Sequence, residues 1–305
     1  MKREYNKIFW RAGQEITPET FIQADNYICY QQNLIRKIMS RGFYGLLPID
    51  DNEKQEFSVK AELDDFKIRI EQLCCRGITK DGSLIEIDDK LRPLPVKNSL
   101  SMPDCSSGKY YVVVRINPYK QVLIESVENE ETPFSQPAYE LDIKKLNQLI
   151  ENELPILKID FDCNFPQIDR NYIPPCTSIL SHKKIFEYYL AYKQILNEIL
   201  SLIRIKKEQY GQLIFPVSMH ILDIEHFSLS ESPNSLIQLI RKILKIFGFF
   251  IPNLQPGIEK YIIMPYNHND TEGLFKSFYT CLDEILSLVG KEEEKVIEED
   301  FTPKI

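Results

Sequence analysis

The pattern of apolar residues changes once along this chain of 305 residues, near residue 180. Before that point apolar side chains alternate with polar ones, as at Val59, Ala61 and Leu63. Alternation is typical of strands, because successive side chains point to opposite faces of a sheet. After that point apolar side chains recur every three to four residues, as in helices with one apolar face. The sequence therefore predicts an α+β protein, with a β domain over residues 1–180 and a helical domain over residues 181–290.

The β domain has local signals for strands and turns. Residues 110–116 are nearly all apolar and suit a strand that is covered on both faces. Residues 121–126 are expected to return antiparallel to that strand through a turn at Asn117-Pro118. Lys80-Asp81-Gly82 predicts a hairpin, because Gly82 can take a positive φ in a tight turn. We predict an antiparallel β-sandwich with one early helix lying against it.

The early helix is predicted to follow a glycine bend at Gly13. Thr17 suits the N-cap, Pro18 the first helical position, and Arg41-Gly42 the end. Apolar side chains recur at helical spacing along it: Phe21, Ala24, Ile28, Ile35 and Ile38. Large apolar side chains are mostly buried, so Trp10 and Phe21 are expected in the core. Replacing either with alanine would then cost about 3–5 kcal/mol.

The helical domain is predicted to contain four helices with short connections, which make a compact bundle. The first covers residues 183–208 and is broken by Pro216, and a shorter helix follows over residues 217–227. The third covers residues 236–250 and is ended by prolines. A cap signal at residues 269–272 begins the fourth.

The helices carry more apolar positions than one small bundle easily covers. An exposed apolar patch usually marks an interface. The candidate interface residues between copies of the chain are Ile240, Ile243, Leu244, Phe247 and Phe250. Residues 291–305, KEEEKVIEEDFTPKI, are expected to form an acidic disordered tail.

Composition excludes several classes of protein. Hydrophobic residues make up 43% and charged residues 27% of the chain, which is typical of soluble globular proteins. A net charge of -8 argues against nucleic acid or an anionic membrane as the main partner. No run approaches the roughly 18 apolar residues of a membrane helix, and residues 1–10 lack the apolar core of a secretory signal. The 7 cysteines are an odd number without framework spacing, which favours reduced thiols in the cytoplasm.

Residues that could support catalysis each have a simpler structural explanation. His220 and His226 lie six positions apart rather than four, so they do not match a zincin helix. Cys74 and Cys75 would point to opposite faces of a strand, one into the core and one near the surface. Acidic pairs fall at predicted strand ends, where aspartate favours turns: residues 50–51, 64–65 and 88–89. With neither a glycine-rich phosphate loop nor a GxSxG motif, we expect no enzymatic activity, cofactor or metal.

Three blocks of sequence share a pattern with a known family. The positions that match in the first block are Trp10, Gly13, Ile16, Pro18, Phe21 and Asp25. The second block ends in Asp81-Gly82, and the third is the aromatic-Ile-Pro-Pro step that contains Pro174 and Pro175. Together the blocks resemble TssK, a baseplate subunit family of the type VI secretion system. The chain departs from the family pattern at Ala12, where glutamate is usual, and at Glu19-Thr20, in place of glutamine-histidine.

The resemblance implies a cytoplasmic, non-enzymatic homotrimer. It also implies a β-sandwich shoulder, related to receptor-binding proteins of tailed phages, and a helical neck that trimerises. In that family the shoulder docks onto the wedge subunits TssF and TssG, and a C-terminal head contacts the membrane complex. This chain matches shoulder and neck, so the head is expected to be missing or reduced to the tail. Contact with the membrane complex is then expected to be indirect or through the tail.

Two other functions remain open from the residues. One is a phage baseplate or receptor-binding protein on the same scaffold. The other is a ligand-binding or hydrolytic β-sandwich.

Overall fold

The computed structural model describes residues 5–48, 56–64, 66–88, 99–102, 107–123, 135–162, 165–251 and 254–291. The chain separates into two compact units, Met1–Thr177 and Ser178–Ile305. The first unit contains a helix and antiparallel sheets and the second is helical, so the predicted α+β class is confirmed. The predicted tail beyond residue 291 and the aspartates at positions 50, 51, 65 and 89 lie outside the described residues.

The first unit begins with a helix and continues with strands. Its elements are α1 (Pro18–Met39), β1 (Gly45–Leu46), β2 (Ser58–Asp64), β3 (Lys67–Ile78), β4 (Leu84–Asp88), β5 (Ser99–Ser101), β6 (Gly108–Leu123), β7 (Ser135–Lys144), β8 (Glu153–Asp162) and β9 (Phe165–Ile168). The elements of the second unit are α2 (Lys183–Ile205), α3 (Lys207–Glu225), α4 (Pro233–Phe250), α5 (Gln255–Ile263) and α6 (Thr271–Lys291).

The long strand β3 is the centre of the first sheet, and β1, β2, β4 and β5 all pair with it antiparallel. The predicted hairpin at Asp81-Gly82 is confirmed as the connection from β3 to β4, and Gly82 has a φ of 90°. The Ser83 N–H donates to Asp81 Oδ1 at 3.0 Å, and the Asp81 N–H donates to the Glu151 carbonyl at 3.1 Å. On β3, Cys75 is buried and Cys74 is half-buried, which confirms that they point to opposite faces.

The second sheet has the strand order β7-β6-β8-β9, and every described pair is antiparallel. The predicted turn at Asn117-Pro118 is wrong, because β6 runs on to Leu123. The pairing of β6 with β7 shifts register between Asn117 and Gln121. Proline has no N–H to donate to the hydrogen bonds of a strand ladder. At a bulge the ladder is interrupted, so that hydrogen bond is not required. Pro118 therefore sits in an irregular stretch of one continuous strand.

Both sheets of the first unit contribute buried side chains to its core. Fully buried residues include Ile68, Ile70 and Leu73 of β3, and Val112 and Val114 of β6. Residues 110–116 are buried except for the half-buried residue 115, as predicted for a strand covered on both faces. Contacts join the two sheets directly. The Glu86 N–H of β4 donates to the Tyr139 hydroxyl of β7 at 3.2 Å.

The second unit contains five α-helices among the described residues, one more than predicted. The helix break lies at Lys206 and not at Pro216, which is inside α3. A proline inside a helix costs about 3 kcal/mol. The buried stripe of α3 outweighs that cost: Tyr210, Leu213, Val217, Ile221 and Ile224. The additional helix is α5, whose first turn contains Pro256, a residue that was expected only to end α4.

The candidate interface residues on α4 lie in the core of their own unit. Ile240, Ile243, Leu244 and Phe247 have no exposed surface, and Phe250 is half-buried. The prediction that they form an exposed patch is therefore wrong. Helices α3, α5 and α6 all contact α4.

Candidate functional site

Helix α1 begins and ends as the sequence predicts. The Thr20 N–H donates to Thr17 Oγ1 at 3.4 Å, and the Thr17 N–H donates to Thr20 Oγ1 at 3.3 Å. Pro18 occupies the first turn, where its missing N–H has no helical partner to lose. At the other end, Arg41 and Gly42 take φ values of 51° and 82°, in the left-handed region that ends helices. Local chemistry therefore fixes this helix.

A narrow polar contact holds α1 to its own unit. Asn33 is the one buried residue of α1, all of which the structure describes. Its Nδ2 donates to Ser83 Oγ at 3.3 Å, and its Oδ1 accepts from Arg36 Nη1 at 3.0 Å. A Cβ on Gly82 would lie 2.0 Å from the Asn33 carbonyl oxygen, so only glycine fits there. Helix α1 thus packs directly against the Asp81-Gly82 turn.

Stacked aromatic rings make a second contact on the same side. The Tyr5 ring stacks on Tyr30 of α1 with centroids 5.5 Å apart, and on Tyr119 of β6 at 4.4 Å. Stacked aromatic pairs contribute about 0.5–1.5 kcal/mol beyond the area that they bury. Tyr5 therefore ties α1 to the second sheet.

A groove of about 450 Å³ lies between α1 and strands β4, β6 and β7. Among its lining residues, Cys29 has its thiol pKa raised, first by burial. Burial, together with the neighbouring Tyr5, raises the pKa of Tyr119 to about 12. Both groups therefore stay protonated at neutral pH, and neither is an activated nucleophile. Asp25, a residue of the predicted motif, is exposed and also lines this groove.

The opposite side of α1 is apolar and exposed, which contradicts the predicted core position of its residues. Trp10 is 51% exposed and Phe21 60% exposed, and Ile16 is also exposed. Of the predicted stripe of α1, Ile28, Ile35 and Ile38 are also exposed, and Ile28 lines the groove beside the sheets. The exposed large apolar residues of this N-terminal surface are Phe9, Trp10, Ile16, Phe21, Ile22, Ile28, Leu34, Ile35, Ile38 and Met39.

A smaller apolar stripe is exposed on α3 in the second unit. Phe215, Met219 and Leu222 lie on one side of the helix, and Phe215 is 74% exposed. Sequence reasoning missed this stripe because it placed a helix break at Pro216. Spacing of three to four residues would have revealed it if the helix had been read through the proline.

The remaining motif residues are structural. Pro174 and Pro175 are buried, and the Leu46 N–H of β1 donates to the Pro175 carbonyl at 2.7 Å. Gly45 has a φ of 128°, and a Cβ there would lie 2.1 Å from the same carbonyl oxygen. Gly13 has a φ of 77°, at the predicted bend. These positions fix the backbone and leave no reactive group in a cleft.

A buried charge cluster on the second sheet was not predicted. The Glu153 side chain has no exposed surface, and it accepts from Arg115 Nε at 2.9 Å and from Lys144 Nζ at 2.6 Å. Burial alone would raise the pKa of Glu153, but hydrogen bonds from Lys144, the Ile150 N–H and Arg115 lower it overall. The carboxylate is thus ionised and fully partnered, and it joins β6, β7 and β8.

The histidines each have a local role. His182 caps α2 by accepting from the Lys184 N–H at 3.2 Å, and burial lowers its pKa to about 4. His220 is paired with Asp223 at 2.9 Å, and His226 caps the end of α3. Among the described residues, no group of three His, Cys, Asp or Glu side chains is placed to hold a metal ion. None of the described helices is long and apolar enough to cross a membrane.

Comparison with known proteins gives a match at the level of structure. No family model matches the chain, and no curated protein matches it. A crystal structure of TssK superposes with a TM-score of 0.62 at 14% identity, over 93% of this chain and 70% of that chain. A chain of the TssK-TssF-TssG baseplate subcomplex of the type VI secretion system, solved by cryo-electron microscopy, gives 0.60 at 14% identity. That match covers 94% of this chain and 100% of the other.

The chain has a TssK-like fold.

A third structure extends the match. TssK from EAEC, in complex with a nanobody, gives a TM-score of 0.55 at 14% identity, over 87% of this chain and 98% of that chain. At this identity the likeness concerns the fold. It does not carry over side-chain contacts, so the exposed surfaces of α1 and α3 have to be interpreted from this chain itself.

Proposed function

We propose that this protein is a non-enzymatic structural subunit of a type VI secretion baseplate. In this role it is a cytoplasmic homotrimer that binds TssF- and TssG-like wedge subunits and links the baseplate towards the membrane complex. The observation that carries the proposal is the TssK-like fold over 94% of the chain. In the same proposal, the two sheets of the first unit form the sandwich shoulder and the helices of the second unit form the neck.

The chemistry of the described residues supports a binding role. The groove beside α1 holds a protonated thiol and a protonated phenol, and the strongest charge cluster is buried and satisfied. The accessible feature is instead apolar: the exposed side chains of the N-terminal segment, α1 and α3. Exposed apolar surface of this extent is typical of proteins that work by assembling with others.

We assign wedge binding to the exposed aromatic residues before α1. Phe9 and Trp10 are both more than half exposed, and Arg11 lies over the Phe9 ring at 5.4 Å. Tryptophan and arginine are enriched among the residues that dominate binding energy at interfaces. Trp10→Ala is therefore expected to weaken wedge binding roughly 30-fold, the equivalent of about 2 kcal/mol.

The test is copurification of the tagged full-length chain from its host, with mass spectrometry of the partners. Wild-type protein should bring down TssF- and TssG-like proteins. Trp10→Ala should bring down much less at an unchanged melting temperature. Phe215→Ala, in the second unit, is the matched control with a similarly exposed aromatic and should copurify normally. Absence of wedge proteins from the wild-type sample would refute the function, and a lower melting temperature of Trp10→Ala would refute the surface role.

A further inference from the structure

Helix α3 has an apolar stripe that its own unit leaves exposed. Phe215, Met219 and Leu222 follow one another at intervals of four and three residues, so they share one side of the helix. All three are exposed, and the buried residues of α3 lie on the opposite side. We call these three residues the α3 stripe. It is about 10 Å long, because an α-helix rises 1.5 Å per residue.

Residues 292–305 follow α6, and α6 ends beside the start of α3. Lys206 is the residue between α2 and α3. Its Nζ donates to the Val289 carbonyl and, at 3.4 Å, to the Gly290 carbonyl, both in the last turn of α6. The chain therefore leaves α6 at the end of the unit where α3 begins.

This segment is long enough to follow α3 over the whole stripe. The far end of the stripe, Leu222, lies about 24 Å from Lys206 along the helix axis. An extended chain covers about 3.3 Å per residue, so residues 292–305 can span about 46 Å. About 20 Å is then left for the step from the end of α6 to the start of α3. One lysine side chain bridges those two points, so the step is shorter than that.

The apolar residues of the segment match the α3 stripe in number and length. Phe301, Pro303 and Ile305 are apolar and alternate with Thr302 and Lys304. In an extended chain alternate side chains point to the same side, and a residue before proline favours an extended conformation. The outer two apolar side chains would then be about 13 Å apart. An extended segment can therefore place three apolar side chains along the three of the stripe.

The charges of the segment also match those along α3. The start of α3 has three cations and one carboxylate: Arg204, Lys206, Lys207 and Glu208. Its end has two exposed carboxylates, Asp223 and Glu225. In the segment, residues 292–300 contain six carboxylates and one lysine, and Lys304 comes after them. Opposite charges therefore face each other at both ends if the segment runs in the same direction as α3. The reverse direction would bring like charges together.

We propose that residues 292–305 fold back onto their own chain and lie along the α3 stripe, in the same direction as α3. Phe301, Pro303 and Ile305 pack on the stripe, which buries apolar surface that is otherwise in water. The covalent link through α6 gives an effective concentration in the millimolar range, so a weak contact is enough to hold the segment. Ordering the segment costs free energy, so a partner that binds the α3 stripe can displace it. The contact lies within one chain and does not depend on the proposed function.

Disulfide cross-linking in the full-length protein tests the contact. Met219→Cys combined with Pro303→Cys should form a disulfide within one chain on mild oxidation, which mass spectrometry detects as a linked pair of peptides. Gln209→Cys with Pro303→Cys is the matched control, because Gln209 is exposed on another side of the same helix. The control should not exceed the background of Pro303→Cys alone, which has the same native cysteines.

Three results of this experiment would overturn the proposal. The first is no link between positions 219 and 303, and the second is an equal link in the Gln209→Cys control. The third is a link between two chains, seen as a doubled mass on a denaturing gel without reductant. In that case the α3 stripe is covered by a second copy of the chain.

Two further variants test which side chains make the contact and in which direction the segment runs. Adding Phe301→Ser to the Met219→Cys, Pro303→Cys protein should remove most of the link, because an apolar anchor is lost. Adding Thr302→Ser, at a position that faces away from the stripe, should leave the link unchanged. An unchanged link in the Phe301→Ser protein would refute the apolar contact. Leu222→Cys should link to Ile305→Cys and not to Phe301→Cys, and the opposite preference would refute the direction.

Discussion

Helices α1 and α4 begin with the same signals but use their apolar faces in opposite ways. Thr17 and Ser232 are N-caps, and each is followed by a proline in the first turn. Both helices also have an apolar stripe. Yet α4 buries nine of its residues, whereas α1 buries only Asn33. The sequence of an amphipathic helix therefore indicates that the helix has a binding face, but not whether the partner lies in the same chain.

The difference follows from what surrounds each helix. Helix α4 lies among α3, α5 and α6, which all contact it with apolar side chains. The first unit contacts α1 through a serine, a glycine turn and a tyrosine stack. Such contacts fix the position and orientation of α1 with little hydrophobic stabilisation. The large apolar side chains of α1 stay exposed.

The largest expected difference is between alanine substitutions in the two apolar faces. Phe247→Ala should reduce the free energy of unfolding of the second unit by about 3–5 kcal/mol, because Phe247 has no exposed surface. Ile35→Ala should change the unfolding of the first unit by about 0.5 kcal/mol or less, if it is measured at a dilution where copies are separate. Urea denaturation followed by circular dichroism gives both values. Comparable losses would show that α1 packs by its outer face.

A substitution in the Asp81-Gly82 turn tests the contact between that turn and α1. Gly82→Ala places a Cβ against the Asn33 carbonyl at a positive φ, so it should destabilise the first unit by about 1–3 kcal/mol. Amide hydrogen exchange along α1 should accelerate at the same time. Gly13→Ala is the control, because it also has a positive φ but no atom within 4 Å of the added Cβ. Unchanged exchange in Gly82→Ala would mean that the helix is held elsewhere.

Acid should weaken the first unit through Glu153. The pKa of this carboxyl is lower in the folded protein than its ordinary value of 4.5. Its contribution to stability is therefore present above pH 4.5 and is lost as pH falls through the lower, folded value. Urea midpoints measured from pH 7 to pH 3 should fall more steeply for wild-type protein than for Glu153→Gln. The core of α4 has no such carboxylate among its buried residues, so Phe247→Ala should leave that slope unchanged. Parallel curves for wild-type protein and Glu153→Gln would contradict the assignment.

The smallest effects concern the matched N-caps. Thr17→Ala and Ser232→Ala each remove one hydrogen bond to a first-turn N–H, which contributes about 1 kcal/mol. For α4 the loss should lower the unfolding free energy of the whole second unit, because that helix is part of its core. For α1 it should appear only as faster exchange of the first-turn amides, since the helix end can fray alone. If Thr17→Ala lowered the unfolding free energy of the whole first unit, α1 would contribute to its unit as α4 does, which would contradict our inference.

Much of the fold could be predicted from short stretches of sequence. The cap at Thr17, the turn at Asp81-Gly82 and the strand over residues 110–116 all depend on a few neighbouring residues. The predictions from sequence were wrong where packing or pairing with distant parts of the chain outweighed a local preference. Pro216 is tolerated in α3 because a buried stripe stabilises the helix, and Pro118 is tolerated in β6 because the ladder is irregular there.

The sequence by itself determined the two kinds of unit, both ends of α1 and the presence of an apolar row along that helix, because backbone preference and side-chain period act over a few residues. Only the tertiary structure decided which apolar rows are core and which are surface. Burial depends on what other elements bring within contact distance, from positions far away in the chain. For α4 that was three more helices, and for α1 it was Asn33, Gly82 and a tyrosine stack. The same pattern in sequence therefore became a core in one unit and an exposed surface in the other.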